Sequence, residues 1–463
     1  MSTFSYHELL KDDLKNSPEF KVSNQGDLSF NGINLKPILE KHGTPLKITY
    51  LPIISRQINK AKKMFNSTMQ KLNYKGDYTY CYCTKSSHFS FVLKEVLNNG
   101  AHLETSSAYD IPIIESLYKS GHLSKDKVIV CNGFKRPEYT KNIIKLINND
   151  FYNTIPILDN TEEFKSYAAE IRKPFKYGLR IATEEVPNFQ FYTSRLGIQP
   201  KIIVDYYKSQ LQDHHHGSLV MLHFFINTGI KDQVYYWNEL AKCLKIYAEL
   251  KKICPTLTGL NIGGGLPFKN KLDFDYDYED FIYQILKEIK ETCKENKTEE
   301  PNIFTEFGTY TVAEASANFY SVLDEKNQND RESWYMIDNS FMTTLPDTWG
   351  IDQRFIILPV NNWHNDYKTA FLGGLTCDSM DFYNADMHNN KLFMPNLDEN
   401  KLYIGLFNTG AYQEALSGYG GIKHCLIPSP KHIVISSDEN NELDFEVFAE
   451  EQSSENMLKT LGY

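Results

Sequence analysis

The stretch Tyr78-Thr79-Tyr80-Cys81-Tyr82-Cys83-Thr84-Lys85-Ser86 decides the fold. Its aromatic, thiol and β-branched residues favour a strand. Ser87-His88-Phe89-Ser90-Phe91-Val92-Leu93-Lys94-Glu95-Val96-Leu97 follows, with apolar residues at three- and four-residue spacing, the mark of a helix with one buried face. Asn98-Asn99-Gly100 then supplies a helix stop. The same alternation continues through candidate strands at roughly 101–105, 127–131, 154–158, 177–182, 219–226, 258–262 and 302–306, each separated by a helical pattern. Parallel strands need helical crossovers, and eight such units close a sheet in about 250 residues, so the pattern predicts a (β/α)8 barrel over residues 45–310. A doubly wound open sheet is the alternative that the same pattern allows.

Beyond residue 311 the texture changes. Phe319–Leu323, Trp334–Ile337, Arg354–Leu358, Lys401–Phe407, His432–Ile435 and Leu443–Phe448 read as strands with turn-rich connections. Residues 311–463 are therefore expected to form a C-terminal β-sandwich or β-barrel domain. Residues 1–44, with the hairpin-like Leu28-Ser29-Phe30-Asn31-Gly32-Ile33, are expected to complete it.

The composition excludes several classes of function. Of 463 residues, 49 are Lys or Arg and 59 Asp or Glu, a net charge of −10. With no basic block, this argues against nucleic acid or an anionic membrane surface as the main partner. No run approaches the 18 or so apolar residues needed to span a bilayer. The first residues lack the basic and apolar regions of a signal peptide. The eight cysteines are scattered without a CxxC pair, which fits reduced thiols and a cytoplasmic location.

In a barrel of this kind the active site lies at the C-terminal ends of the strands. The first strand runs into Lys85. Most such lysines snorkel to solvent, but one desolvated by aromatic surroundings can serve as a nucleophile or Schiff base. The second strand ends in Leu103-Glu104-Thr105-Ser106-Ser107, and the fifth carries Arg180. The seventh ends in Asn261-Ile262-Gly263-Gly264-Gly265, where adjacent glycines let backbone N–H groups cradle a phosphate. The eighth ends in Thr305-Glu306-Phe307-Gly308, which places a carboxylate where it can partner a pyridinium nitrogen. A lysine, a phosphate turn and an acid on one barrel mouth together suggest pyridoxal 5′-phosphate.

These segments resemble the alanine-racemase-like, fold type III pyridoxal-phosphate decarboxylases, from about residue 40 onward, and most closely the short bacterial arginine decarboxylases. The resemblance makes Lys85 the cofactor lysine and sets Glu104 beside the cofactor. It assigns Gly263, Gly264 and Gly265 to the phosphate, and Glu306 to the pyridine nitrogen. Cys377-Asp378-Ser379 matches a motif that the neighbouring subunit contributes, which implies a homodimer with shared active sites. Gly410-Ala411-Tyr412 matches the segment whose tyrosine touches the phosphate. Departures accompany these matches. Phe225 stands where the family carries a ring-stacking histidine, with His223 two residues earlier. Asn227-Thr228 replaces a Gly-Ser pair, leaving Thr228 as a candidate phosphate ligand, and Thr309 replaces a phosphate-contacting arginine.

The expected reaction is decarboxylation of arginine to agmatine and CO2, as in polyamine synthesis. Cys377 is the candidate proton donor, and Asp378 the carboxylate facing a cationic substrate end. Ornithine, lysine, diaminopimelate and a carboxylated polyamine are the alternative substrates. A racemase and a non-catalytic regulatory homologue are the alternatives of other classes. Arg195 is expected to be structural, as a salt-bridging barrel residue. His214-His215-His216 reads as a solvent loop, and His424-Cys425 lacks zinc spacing, so no metal site is expected.

Overall fold

The computed structural model describes residues 10–184, 193–226, 233–329, 332–385 and 391–463. They divide into two compact units, one comprising residues 54–267 and 276–311, the other residues 1–53, 268–275 and 312–463.

The first unit is a closed barrel of eight parallel strands. In chain order these are Tyr78–Cys83, His102–Thr105, Ile129–Cys131, Thr154–Leu158, Phe175–Arg180, Gly217–His223, Gly259–Asn261 and Asn302–Phe307. The eighth strand pairs in parallel with the first, Glu306 opposite Cys81, which closes the ring and rules out the open sheet. Cys81, Val130, Ile155, Ile157 and Met221 form one of the buried clusters that fill it.

The crossover helices follow from their sequence period. The helix Ser90–Asn98 buries Val92, Leu93, Val96 and Leu97. Burying each such side chain contributes roughly 1.5–3 kcal/mol. It ends as its sequence indicates: Gly100 takes φ +67°, and its N–H donates to the Leu97 carbonyl at 2.9 Å. Pro137 opens the helix Pro137–Asn148, where its missing N–H costs nothing.

The second unit is built on a nine-stranded sheet whose spine is the long strand Ser316–Asn329. Its first half is buried and pairs antiparallel with both Leu46–Tyr50 and Tyr403–Phe407. Its exposed second half pairs with Glu332–Ile337. Tyr320, Tyr335, Phe341, Leu372, Ile404 and Leu406 belong to the buried core against this sheet.

One expectation is corrected here. Leu46–Tyr50 is a strand of this sheet and not the opening of the barrel; it lies between Ser316–Asn329 and Lys431–Ser437. The hairpin Leu28–Phe30/Ile33–Asn34 joins this unit as expected, in a three-stranded sheet of its own with Phe20–Val22 beside the large sheet. Its contribution is aromatic packing, with the rings of Phe20 and Phe30 4.8 and 5.2 Å from that of Phe407. No helix among the described residues is long and apolar enough to cross a membrane.

Candidate active site

The C-terminal mouth of the barrel gathers polar residues at five strand ends into one hydrogen-bonded chain. Lys85 lies in the 3-10 turn Thr84–Ser86 that follows the first strand, and its Nζ donates to Glu104 Oε2 at 2.8 Å. Glu104 Oε1 accepts from Asn132 Nδ2 at 3.1 Å, and the same amide donates to Glu306 Oε1 at 2.8 Å. Asn261 Nδ2 donates to that Glu306 oxygen at 2.6 Å. Both carboxylates are buried, and each amide proton of Asn132 serves one of them. Glu306 Oε2 accepts no hydrogen bond among the described residues.

Asn132 and Asn261 carry this chain, yet sequence reasoning gave neither a role. The available signal was a lone amide at the end of an apolar strand, as in Ile129-Val130-Cys131-Asn132. Asp110, also missed, ties two strand-end loops together. It accepts from Thr84 Oγ1 at 3.0 Å, from the Ser106 and Ser107 N–H groups at 2.8 and 2.9 Å, and pairs with His88 Nε2 at 3.1 Å. Burial works to raise this carboxyl, but the bonds from His88 and Ser106 outweigh it and hold the group below its ordinary value.

The glycine turn adjoins this chain. Asn261 Oδ1 accepts from the Gly263 N–H at 2.9 Å, so one amide orients both the turn and Glu306. A Cβ on Gly264 would fall 2.3 Å from the Glu306 carbonyl oxygen, and Gly263 takes φ +69°, so these positions require glycine. The Gly264 and Gly265 N–H groups have no acceptor among the described residues.

Arg180 and His223 are both buried, and neither Arg180 Nε nor His223 Nδ1 has a hydrogen-bond partner among the described residues. His223 Nδ1 stands 3.9 Å from Glu306 Oε1. Its imidazole is pushed down to about 3, first by burial and then by the Arg180 guanidinium, so the ring is neutral at any working pH. Phe225 is half-buried past the end of the sixth strand, with Arg180 Cζ 6.0 Å from its ring centre. Thr228 lies outside the described residues. Arg195 is exposed and makes no ion pair among the described residues, contrary to the salt-bridging role expected of it.

The remaining predicted residues belong to the second unit. Tyr412 takes φ +68° just before the helix Gln413–Ser417, after a Gly410 whose Cβ would meet the Val312 carbonyl oxygen at 2.0 Å. Asp378 Oδ1 accepts from the Met380 N–H at 2.9 Å. Cys377 is exposed, and its Sγ lies 3.9 Å from both His424 Nε2 and Cys425 Sγ. Linear spacing hides this grouping, because the loops that meet are 47 residues apart.

A lysine amine, a buried carboxylate held by two amides, a turn with available N–H groups and a buried guanidinium whose Nε has no partner among the described residues define a site for a phosphorylated, nitrogen-bearing ring. Pyridoxal phosphate fits that donor set. Residues 54–313 match the family model for the pyridoxal-binding domain of the pyridoxal-dependent decarboxylases, more than half of the chain, and the chain belongs to that family. A biosynthetic arginine decarboxylase from Prochlorococcus marinus (strain AS9601) is 22% identical, over 90% of this chain and 82% of the relative. Among solved structures, the biosynthetic arginine decarboxylase SpeA from Campylobacter jejuni superposes with a TM-score of 0.80 at 20% identity, over 96% of this chain and 89% of that one. Diaminopimelate decarboxylase from M. jannaschii in complex with L-lysine does so with a TM-score of 0.78 at 17% identity, covering 96% and 97%. These structures share the fold.

Proposed function

We propose that this pyridoxal-dependent decarboxylase acts on L-arginine, releasing CO2 and agmatine for polyamine synthesis, as a cytoplasmic homodimer whose Cys377–Asp378 loop enters the neighbouring subunit's site. The observation that carries the chemistry is the Lys85–Glu104–Asn132–Glu306–Asn261 chain at the barrel mouth. The choice of arginine is supported by the arginine decarboxylase named among the relatives, which matches nine-tenths of the chain.

The pyridoxal ring, when bound, supplies the electron sink that decarboxylation needs. Lys85 Nζ is the amine that holds the cofactor, with Glu104 fixing its direction. Glu306, oriented through Oε1 by two amides, presents Oε2 to the ring nitrogen and keeps a proton there. The N–H groups of Gly264 and Gly265, with Arg180, serve the phosphate. Phe225 offers a ring face but no hydrogen bond, and neutral His223 adds no charge near Glu306. The Cys377 thiol holds the proton delivered to the substrate's α-carbon, and Asp378 receives the guanidinium.

The test is purified protein with pyridoxal phosphate and a panel of arginine, ornithine, lysine and diaminopimelate, with CO2 and amine both identified. Agmatine from arginine supports the reading. Turnover of diaminopimelate alone overturns the substrate, and full activity in Lys85→Ala overturns the site.

A further inference from the structure

Six of the eight cysteines are buried and all lie in the barrel unit. The two exposed ones, Cys377 and Cys425, face each other in the second unit, and with His424 their donor atoms all lie within 4.8 Å of one another. We propose that Cys377, His424 and Cys425 form a binding site for a thiolate-preferring divalent cation, with Zn2+ the ion that fits best.

The distances carry the choice of ion. With Zn–S near 2.3 Å and Zn–N near 2.0 Å, a tetrahedral centre has S···S edges of about 3.8 Å and S···N edges of about 3.5 Å. Cys377 Sγ already stands 3.9 Å from both partners, so a shift of a few tenths of an ångström completes those two edges, and the third, between His424 and Cys425 and within 4.8 Å, closes by at most about 1.3 Å. A disulfide would require the two sulfurs to approach by roughly a further 2 Å.

Both loops are built to present these atoms. His424 and Cys425 are sequence neighbours, and neighbouring side chains ordinarily diverge. Here Cys425 and Leu426 take φ +52° and +53° inside the turn His424–Leu426, a conformation costly for residues other than glycine, and it brings the two donors to one point. The facing loop is held by the buried Asp381, whose carboxylate accepts from the Thr376 N–H at 3.0 Å, Thr376 Oγ1 at 2.7 Å and the Met342 N–H at 3.2 Å. Gly374 is required beside it, since a Cβ there would lie 2.3 Å from that carboxylate.

Three protein donors leave the fourth position of the ion to water or another small ligand. Occupancy also converts the Cys377 thiol into a ligand, so bound metal removes the proton carrier and inhibits decarboxylation. This last consequence rests on the proposed role of Cys377; binding itself does not.

The test is titration of the reduced, full-length, pyridoxal-loaded protein with Co2+, followed by the visible bands of tetrahedral cobalt and displaced by Zn2+. One ion per chain is expected, with binding weakened at least about tenfold in Cys425→Ser and in His424→Ala, both checked for fold by circular dichroism. Decarboxylation by Cys425→Ser is expected to match the wild type without metal and to resist Zn2+. Absence of saturable one-to-one binding, or binding that Cys425→Ser leaves unchanged, overturns the site. Equal Zn2+ inhibition of wild type and Cys425→Ser overturns the inhibitory consequence. The substrate panel is run without metal, so its outcome is read separately.

Discussion

At the residue scale, Asn132 divides its two amide protons between Glu104 and Glu306. Asn132→Ala leaves two buried carboxylates short of a donor, an expected loss of roughly 1–3 kcal/mol by urea unfolding; an unchanged midpoint would contradict the account. Lys85, Glu306 and the glycines were legible in the sequence because each is an unusual residue for its strand end. The amides were not, because an asparagine takes its function from whichever groups the fold sets beside it. His223 adds a prediction in pH. Its ring titrates near 6.5 when unfolded and is pushed down to about 3 when folded. Between these values the unfolded chain binds a proton that the native one does not. Stability contributed by this group is therefore complete above about pH 6.5 and declines as the pH falls, by up to about 1.4 kcal/mol per unit. From pH 7 to pH 5, wild type should lose about 2 kcal/mol more stability than His223→Asn, measured by urea denaturation; equal losses would contradict it.

At the element scale, the glycine turn after the seventh strand is fitted against the end of the eighth. Gly264→Ala would drive a methyl group into the Glu306 carbonyl and displace the carboxylate strand end or the phosphate turn. An activity loss on the order of 10²-fold is expected, with cofactor titration showing weaker retention; wild-type retention would show that the turn is not a phosphate site. The barrel strands could be read because each is followed by a helix of clear period. The expected barrel bounds, residues 45–310, took in Leu46–Tyr50, which lies just before a long helix, Pro52–Leu72. What sends it to the other sheet is its pairing with Ser316–Asn329 and Lys431–Ser437, far away in the chain. Phe382–Tyr383 and Phe393–Pro395 are too short to display any period.

At the scale of the whole molecule, the predicted site residues fall into two groups. The cofactor set apart from Tyr412 lies in the barrel unit, and Tyr412, Cys377 and Asp378 lie in the β unit. If the Cys377–Asp378 loop completes a neighbouring site, mixing Lys85→Ala with Cys377→Ala subunits should restore up to about a quarter of wild-type activity, the statistical share of sites free of both changes in a randomly mixed dimer. No recovery in mixtures shown to exchange subunits would place both residues in one chain's site. The central claim, an arginine decarboxylase, is tested most directly by identifying the amine formed when the pyridoxal-loaded protein meets arginine beside ornithine, lysine and diaminopimelate. The account predicts agmatine and CO2 in equal amounts from arginine; CO2 from one of the other substrates, with arginine left intact, would contradict it.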